Sequence, residues 1–491
     1  MCDGQIWQAQ LKKAITPPNL PQLWEELERR LEERIVEIQE QGDAWIPSVH
    51  VQDILNDTVD GRIVERLKLT GVIKIRATMH PEQARRLNAE MQQELRYCLG
   101  VDPSNLASYD HIYDPADPKA FTLGGVQEMY YTAAQFKARE HLPLLKVRAW
   151  LNKVWDYKDA VTEEPLFLPD AELCYVDRWR HRVPGFSAQT GMKEHIDNGA
   201  MSRWADAAWQ SVYAPILHGK LHEYDAWKVG ERVSTKGSST AFRSFQGWLA
   251  LSSQGAGDGT LEVIPLVAEA MAYVLLRPLC HDVPVHQFCG VNDTGGGDTL
   301  EITSRWHSLL LRAKTSIGHV DAGDTVWWHP DLIHGVEPHH AGKEASNVLY
   351  IPATPMCMQN AKYVAAQRQA FLKGHAPPGF PNLQLEKRAN RHTLPENLSL
   401  AGRRAMGLEP YPESVIFGNL WDCVRTNRDT GEGTGALQVS DMENLNPCTA
   451  GMKPGGDNRH GYSEAELEAR RRLFEQCQAM IFEDGEPNLL R

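Results

Sequence analysis

The strongest constraint on the fold lies between residues 170 and 352, where short apolar runs recur at strand length and each is cut off by turn residues. The candidate strands are Glu172–Arg180, Ala241–Ser252, Thr260–Pro265, Ser308–Leu311, Thr325–Trp328 and Asn347–Pro352. Runs of this length bounded by Gly, Pro and Asp predict an antiparallel sandwich or barrel rather than a doubly wound parallel sheet. Helical patterns flank them. Leu23, Leu27, Leu31, Ile35 and Ile38 recur at helical spacing within 20–42, and further helices are expected over 82–96, 141–155 and 359–373. A helical insertion, 201–228, carries Trp204, Trp209 and Tyr213. Leu67–Arg76 reads as a strand, 101–120 as loop, 374–382 as linker, and Ser463 with Glu466 as the capping box of a last helix.

Composition narrows the function classes. With 491 residues the chain can bury a large core, and 51 basic against 64 acidic residues give a net charge of −13. That balance argues against a surface that binds nucleic acid by releasing counterions. Nine cysteines without a C-x-x-C pair point to a reducing compartment, and there is no signal-like start and no long apolar run. The expectation is a cytoplasmic protein that acts on a small molecule, with no nucleic-acid or membrane partner and an oligomeric state the sequence leaves open. The Gly-rich turns at 253–259 and 293–298 do not continue into a Gly-Lys-Ser/Thr helix start, so neither is a phosphate cradle.

Chemistry is suggested by Gly191-Met-Lys-Glu-His195-Ile-Asp197-Asn-Gly199. On extended backbone, residues i and i+2 face the same way, so His195 and Asp197 can present an imidazole and a carboxylate to one metal ion. The pattern alone is weak. With 19 His and 64 acids in 491 positions, about 2.5 His-x-Asp/Glu matches arise by chance. The chain contains His80/Glu82, His195/Asp197, His319/Asp321 and His329/Asp331. A proline follows His80 and His329, and His319/Asp321 runs directly into the Gly323-Asp324 turn, which leaves His195/Asp197 best placed. The third ligand is expected from Gly323-Asp-Thr-Val-Trp-Trp-His-Pro-Asp-Leu-Ile-His334-Gly335, with His334 preferred to His329, His339 and His340. Two histidines and one carboxylate on one face of a metal suit non-haem Fe(II) that must also bind co-substrate and O2. Cys280-His281…His286…Cys289 imitates zinc spacing but lacks a second cysteine pair.

These segments resemble the Fe(II)/2-oxoglutarate-dependent dioxygenases, in the order found in the phytanoyl-CoA hydroxylase-like branch. More closely, Tyr175-Val-Asp-Arg178, Glu194-His-Ile-Asp-Asn-Gly199, Phe245-Gln-Gly-Trp-Leu-Ala-Leu-Ser252 and Asn347-Val-Leu-Tyr-Ile-Pro-Ala-Thr-Pro355 are similar to the YbiU-like family. The resemblance spans about 65–375 and implies a mainly β fold with flanking α: a double-stranded β-helix, or jelly roll, over about 165–360. Residues 1–60 would add an N-terminal helical segment, 61–375 the oxygenase domain, and 376–491 a C-terminal extension. It implies His195, Asp197 and His334 as iron ligands, 2-oxoglutarate as co-substrate, and oxidation of an unactivated C–H bond with release of succinate and CO2. An intact Asp197 favours hydroxylation over halogenation.

The sequence departs from that family in one respect. Many members anchor the far carboxylate of 2-oxoglutarate with an Arg about ten residues after the last His, whereas this chain has Lys343 and then Ser346-Asn347. A buried carboxylate needs a cation, and Arg offers the better two-pronged fit. The candidates, in order, are Arg243, Lys343, and then Arg178 or Arg180, with Asn347 also near the expected position. Two other readings stand beside the oxygenase: a catalytically silent jelly-roll scaffold, and a cupin-like metal enzyme that does not use 2-oxoglutarate.

Overall fold

Strands form where β-branched and aromatic residues cluster, and they assemble two principal sheets. The structure, a computed structural model, describes residues 3–99, 125–185, 193–235, 240–291, 299–381, 385–418 and 462–482. One sheet has seven strands in the spatial order Ser48–His50, Val72–Arg76, Thr325–Trp328, Gln246–Ala250, Ser346–Tyr350, Trp179–Arg182 and Val126–Gln127. Every neighbouring pair in it is antiparallel except the first, where Ser48 faces Lys74 in parallel. The other sheet has five strands in the order Thr315–Ser316, Leu261–Val263, His334–Val336, His195–Ile196 and Leu300–Glu301.

Helices cover these sheets, and helix outweighs strand by about 48% to 15% of the described residues. Leu20–Gln41 buries Leu23, Leu27, Leu31, Ile35 and Ile38, the stripe read from the sequence, against Val267–Leu276. Pro81–Leu99, Leu142–Asn152 and Met358–Lys373 form as expected, and Glu464–Phe482 lies along Met358–Lys373. Ser463 accepts from the Glu466 N–H at 3.2 Å, as a helix cap does. The insertion resolves into three short helices, Ser202–Ala205, Ala207–Val212 and Ala214–Leu217, with Trp204, Trp209 and Tyr213 buried.

Three strand expectations need correction. Ser308–Leu311 is the end of a helix, Ser304–Leu311, in which His307 and Leu310 are buried. Four residues, three of them Leu, are too few to separate a period of 2 from one of 3.6. Leu67–Arg76 is half helix: Gly61–Thr70 is capped by Asp60 and ended by Gly71 at φ +74°. A Cβ on Gly71 would also sit 2.8 Å from Val267, so the turn into Val72–Arg76 requires glycine. Glu172–Arg180 divides into Leu168–Glu172, paired with Pro355–Met356, and Trp179–Arg182. Between them the N–H groups of Leu173, Cys174 and Val176 donate to Thr354 O, Ala405 O and Gln367 Oε1, so no ladder is needed there. The loops predicted at 101–120 and 293–298 lie outside the described residues. No described helix is long and apolar enough to cross a membrane.

Candidate metal centre

His195 opens a two-residue strand and His334 opens a three-residue strand, and the two are direct antiparallel partners. Their rings stand 4.4 Å apart between centroids. Asp197 follows two residues after His195, on the same side, and reaches both rings. Its Oδ1 is 3.3 Å from His195 Nε2 and its Oδ2 is 3.7 Å from His334 Nε2. One ligand atom from each residue lies within 4.8 Å of the others, and no other such cluster occurs among the described residues.

The tautomers follow from the backbone. His195 Nδ1 is 2.6 Å from Lys193 O, and His334 Nδ1 is 3.0 Å from Leu332 O. A carbonyl oxygen only accepts, so each Nδ1 carries a hydrogen and each ring turns its Nε2 toward Asp197. Burial acts to lower the His195 pKa, but the hydrogen bond and charge of Asp197 outweigh it, so Nε2 there holds a proton against the carboxylate; with that proton displaced, two Nε2 lone pairs and a carboxylate form a donor set that fits a divalent metal ion. Burial disfavours charge on His334, and together with the charge of His195 it lowers that pKa to about 4. For Asp197 burial acts to raise the pKa. The His195 hydrogen bond and the charges of His195, His334 and Arg243 outweigh it and hold the carboxyl well below its usual range.

A buried ionic network holds these ligands in place. Arg203 donates to Asp331 Oδ1 at 2.8 Å and to the carbonyl oxygens of Asp197 at 2.8 Å and Asn198 at 3.1 Å. Arg232 donates to the other Asp331 oxygen at 2.6 Å. Asp331 lies three residues before His334, and Asn198 adopts φ +62° directly after Asp197. Sequence reasoning missed this network, because neither arginine lies in a recognisable motif and Asp331 reads only as half of a rejected His-x-Asp pair. His329, its other half, is buried with Nε2 3.0 Å from Ala226 O and its ring 4.7 Å from Trp155. His319 and Asp321 form an exposed pair at 3.1 Å, as a turn element would.

The chain belongs to the Gig2-like family. The family model matches residues 5–408. An uncharacterised Escherichia coli K12 protein, YbiU, is 35% identical over 423 residues, spanning 82% of this chain and 95% of its own length. A crystal structure of a hypothetical Escherichia coli protein superposes with a TM-score of 0.73 at 33% identity, covering 83% of this chain and 98% of the other. The Candida albicans protein GIG2, from GlcNAc Inducible Gene 2, shares the fold at a TM-score of 0.70 and 24% identity, over 92% of this chain and 97% of its own.

The candidate anchors of this Gig2-like chain have distinct surroundings. Lys343 is exposed. Asn347 is buried, with its Oδ1 2.7 Å from His181 Nδ1. Arg178 precedes its strand and pairs with Asp177 at 3.2 Å and Glu128 at 3.3 Å. Arg180 is 2% exposed and reaches only neutral groups, Gln254 Oε1 at 3.2 Å and Ser346 Oγ at 3.3 Å, while its Nε is buried without a partner. Arg243 is half-buried beside Asn198 and acts electrostatically on Asp197 and His334. Lys12 Nζ donates to Pro284 O at 2.8 Å within the Cys280–Cys289 segment and to Pro278 O at 2.5 Å just before it.

Proposed function

We propose that this chain is an Fe(II)- and 2-oxoglutarate-dependent oxygenase of the phytanoyl-CoA hydroxylase-like branch, built on a jelly roll and acting in the cytoplasm on a small molecule. The convergence of two Nε2 lone pairs and a carboxylate on one point carries this reading. The jelly roll is supported by strand order. From Trp179 to Tyr350, leaving aside the edge strand Leu300–Glu301, the chain visits large, small, large, small, small, large, small and large sheets in turn.

His195 Nε2, Asp197 and His334 Nε2 would hold the iron. Bound iron, with 2-oxoglutarate and O2, supplies the oxidising power to break a C–H bond, with succinate and CO2 as products. The residues do the positioning. Lys193 O and Leu332 O fix the imidazole tautomers, and Arg203 fixes the backbone of Asp197. Trp328 packs its ring 5.3 Å from His334 and is 4% exposed, which keeps water from that ligand.

Arg180 is the anchor for the far carboxylate of 2-oxoglutarate, ahead of Arg243, the first choice from sequence. It is a buried guanidinium with no carboxylate partner among the described residues, and it sits opposite Val348 on the strand after His334, close to where the family anchor is expected. Glu337, the described acid that acts on it electrostatically, already accepts from the N–H groups of Gly257 at 2.9 Å and Thr260 at 3.1 Å. Anaerobic Fe(II) titration of the purified chain, followed by assay of succinate from 2-oxoglutarate, tests the reading. One equivalent of iron and iron-dependent succinate are expected. A chain that binds no Fe(II), or that binds it without consuming 2-oxoglutarate, overturns it.

A further inference from the structure

Hydrogen bonding beside the candidate metal ligands is unbalanced in one direction. Trp328 Nε1 and Gln246 Nε2 are both buried with no acceptor among the described residues, in side chains only 4% and 6% exposed. A buried N–H without an acceptor is unfavourable, and native proteins rarely keep one unless a water or a ligand completes it. The adjoining indole shows the ordinary outcome, since Trp327 Nε1 donates to Thr325 Oγ1 at 2.9 Å. Trp155 and Trp179 also lack an acceptor, but their rings stack on His329 and His181, neither of which is a candidate ligand.

Strand register puts the two orphaned donors side by side. Trp328 ends the strand Thr325–Trp328 and lies directly opposite Gln246, the first residue of Gln246–Ala250, so both side chains rise from one face of the large sheet. That face looks toward the candidate ligands, because the Trp328 ring stands 5.3 Å from the ring of His334. It also carries Arg180. Ala250 shares the face with Gln246 by two-residue alternation, and Ala250, Val348 and Arg180 are successive cross-strand partners. Four residues along the strand and two strands across separate Gln246 from Arg180, about 16 Å between backbones at standard spacings. The long arginine and glutamine side chains fill part of that distance, and the remainder suits a short molecule with an acid group at each end.

The two ends ask for different things. At Arg180 a charged guanidinium must itself offset the charge of an acid group. At the other end Trp328 and Gln246 offer two neutral N–H donors, which suit the lone pairs of a carboxylate whose charge a metal ion already offsets. We propose that Trp328 Nε1–H and Gln246 Nε2–H hold the carboxylate adjoining the keto group of 2-oxoglutarate, at the end of the co-substrate nearest the metal ligands. The assignment rests on the oxygenase reading above. It makes both side chains binding residues whose donors are left unsatisfied, and destabilise the fold, until the co-substrate arrives.

Gln246→Leu and Trp328→Phe remove the N–H groups and keep an apolar or aromatic body in place. In calorimetric titration of the full chain, loaded anaerobically with Fe(II), each variant should bind 2-oxoglutarate about tenfold or more weakly than the parent, as loss of a hydrogen bond to a charged group predicts. Iron affinity should be unchanged. The ligand-free Gln246→Leu chain should melt no lower than the parent, the reverse of what loss of a structural hydrogen bond gives. Visible absorption of the iron-loaded chain at saturating 2-oxoglutarate should shift in both variants and stay in place in Arg180→Gln, because only the near end of the acid meets the metal. Parent-like affinity for 2-oxoglutarate in both variants overturns the proposal and leaves the oxygenase reading standing. Weaker binding that comes with a lower melting point and an unshifted spectrum marks a structural role and overturns it too. A parent chain that takes up no Fe(II), or takes it up without binding 2-oxoglutarate, overturns both.

Discussion

Arg203 and Asp331 form an ion pair at 2.8 Å in which neither side chain is more than 1% exposed, and the same guanidinium holds the carbonyl oxygen of Asp197. The pair therefore joins the segment that carries two candidate ligands to the segment that carries the third. Removing one partner of a buried pair strands the other charge, which costs about 3–5 kcal/mol. Arg203→Met should show that loss in urea denaturation. It should also weaken Fe(II) binding by about 10–100-fold, the range typical of second-layer changes. Full iron affinity in a folded variant would show that Arg203 stabilises the fold without positioning the ligands.

Asp197→Ala removes the group on which both Nε2 atoms converge. Iron uptake and succinate formation should both disappear. Elemental analysis after anaerobic loading decides the point, and unchanged iron content in the variant would rule out the triad.

Arg180→Gln removes the buried guanidinium proposed as the anchor. Losing one member of a buried charge pair costs about 2–5 kcal/mol, so the 2-oxoglutarate requirement should rise about 30-fold or more with iron affinity retained. Arg243→Gln should leave that requirement much closer to the parent value. The opposite ranking would restore Arg243 as the anchor.

Glu172 gives a pH dependence that belongs to the fold. Burial raises its pKa from 4.5 to about 7, against the pull of the Arg148 charge and hydrogen bonds from Thr354 and Asn152. A raised folded-state pKa means that the native chain holds the proton more tightly than the unfolded one. The stabilisation is complete below pH 4.5 and is lost as pH rises through about 7. At about 1.4 kcal/mol per unit this amounts to about 3 kcal/mol. Denaturation at pH 5 and pH 8 should show the parent losing more stability than Glu172→Gln over that interval. Identical slopes would refute the assignment.

The sequence was most legible where the physics is local. The stripe Leu23, Leu27, Leu31, Ile35, Ile38 repeats at the period of a helix and buries as one face. His195 and Asp197 needed only two-residue alternation, and His334 only the turn and strand before it. The run at 308–311 was misread because helix and strand differ in period, and four residues do not contain a period. In the sequence Arg243 comes first because it opens the central run Ala241–Ser252, a local feature. What sets Arg180 apart is burial without a counter-charge, a property of tertiary packing that no local pattern encodes. The Arg203–Asp331–Arg232 network is illegible for the same reason.

The pairing of His195 directly across from His334 also bears on when a metal ion could be acquired at this cluster. Of the three candidate ligands, a nascent or unfolded chain brings together only the local His195–Asp197 pair, which grips a divalent ion weakly. The third donor arrives after the helical insertion and five strands, two of the seven-stranded sheet and three of the five-stranded one, have been laid down between the two histidines. Tight binding therefore waits for a completed fold, and uptake of the metal reports that folding is finished. Loose iron near oxygen damages proteins, so a centre assembled last exposes the chain to that chemistry only when its walls are already in place.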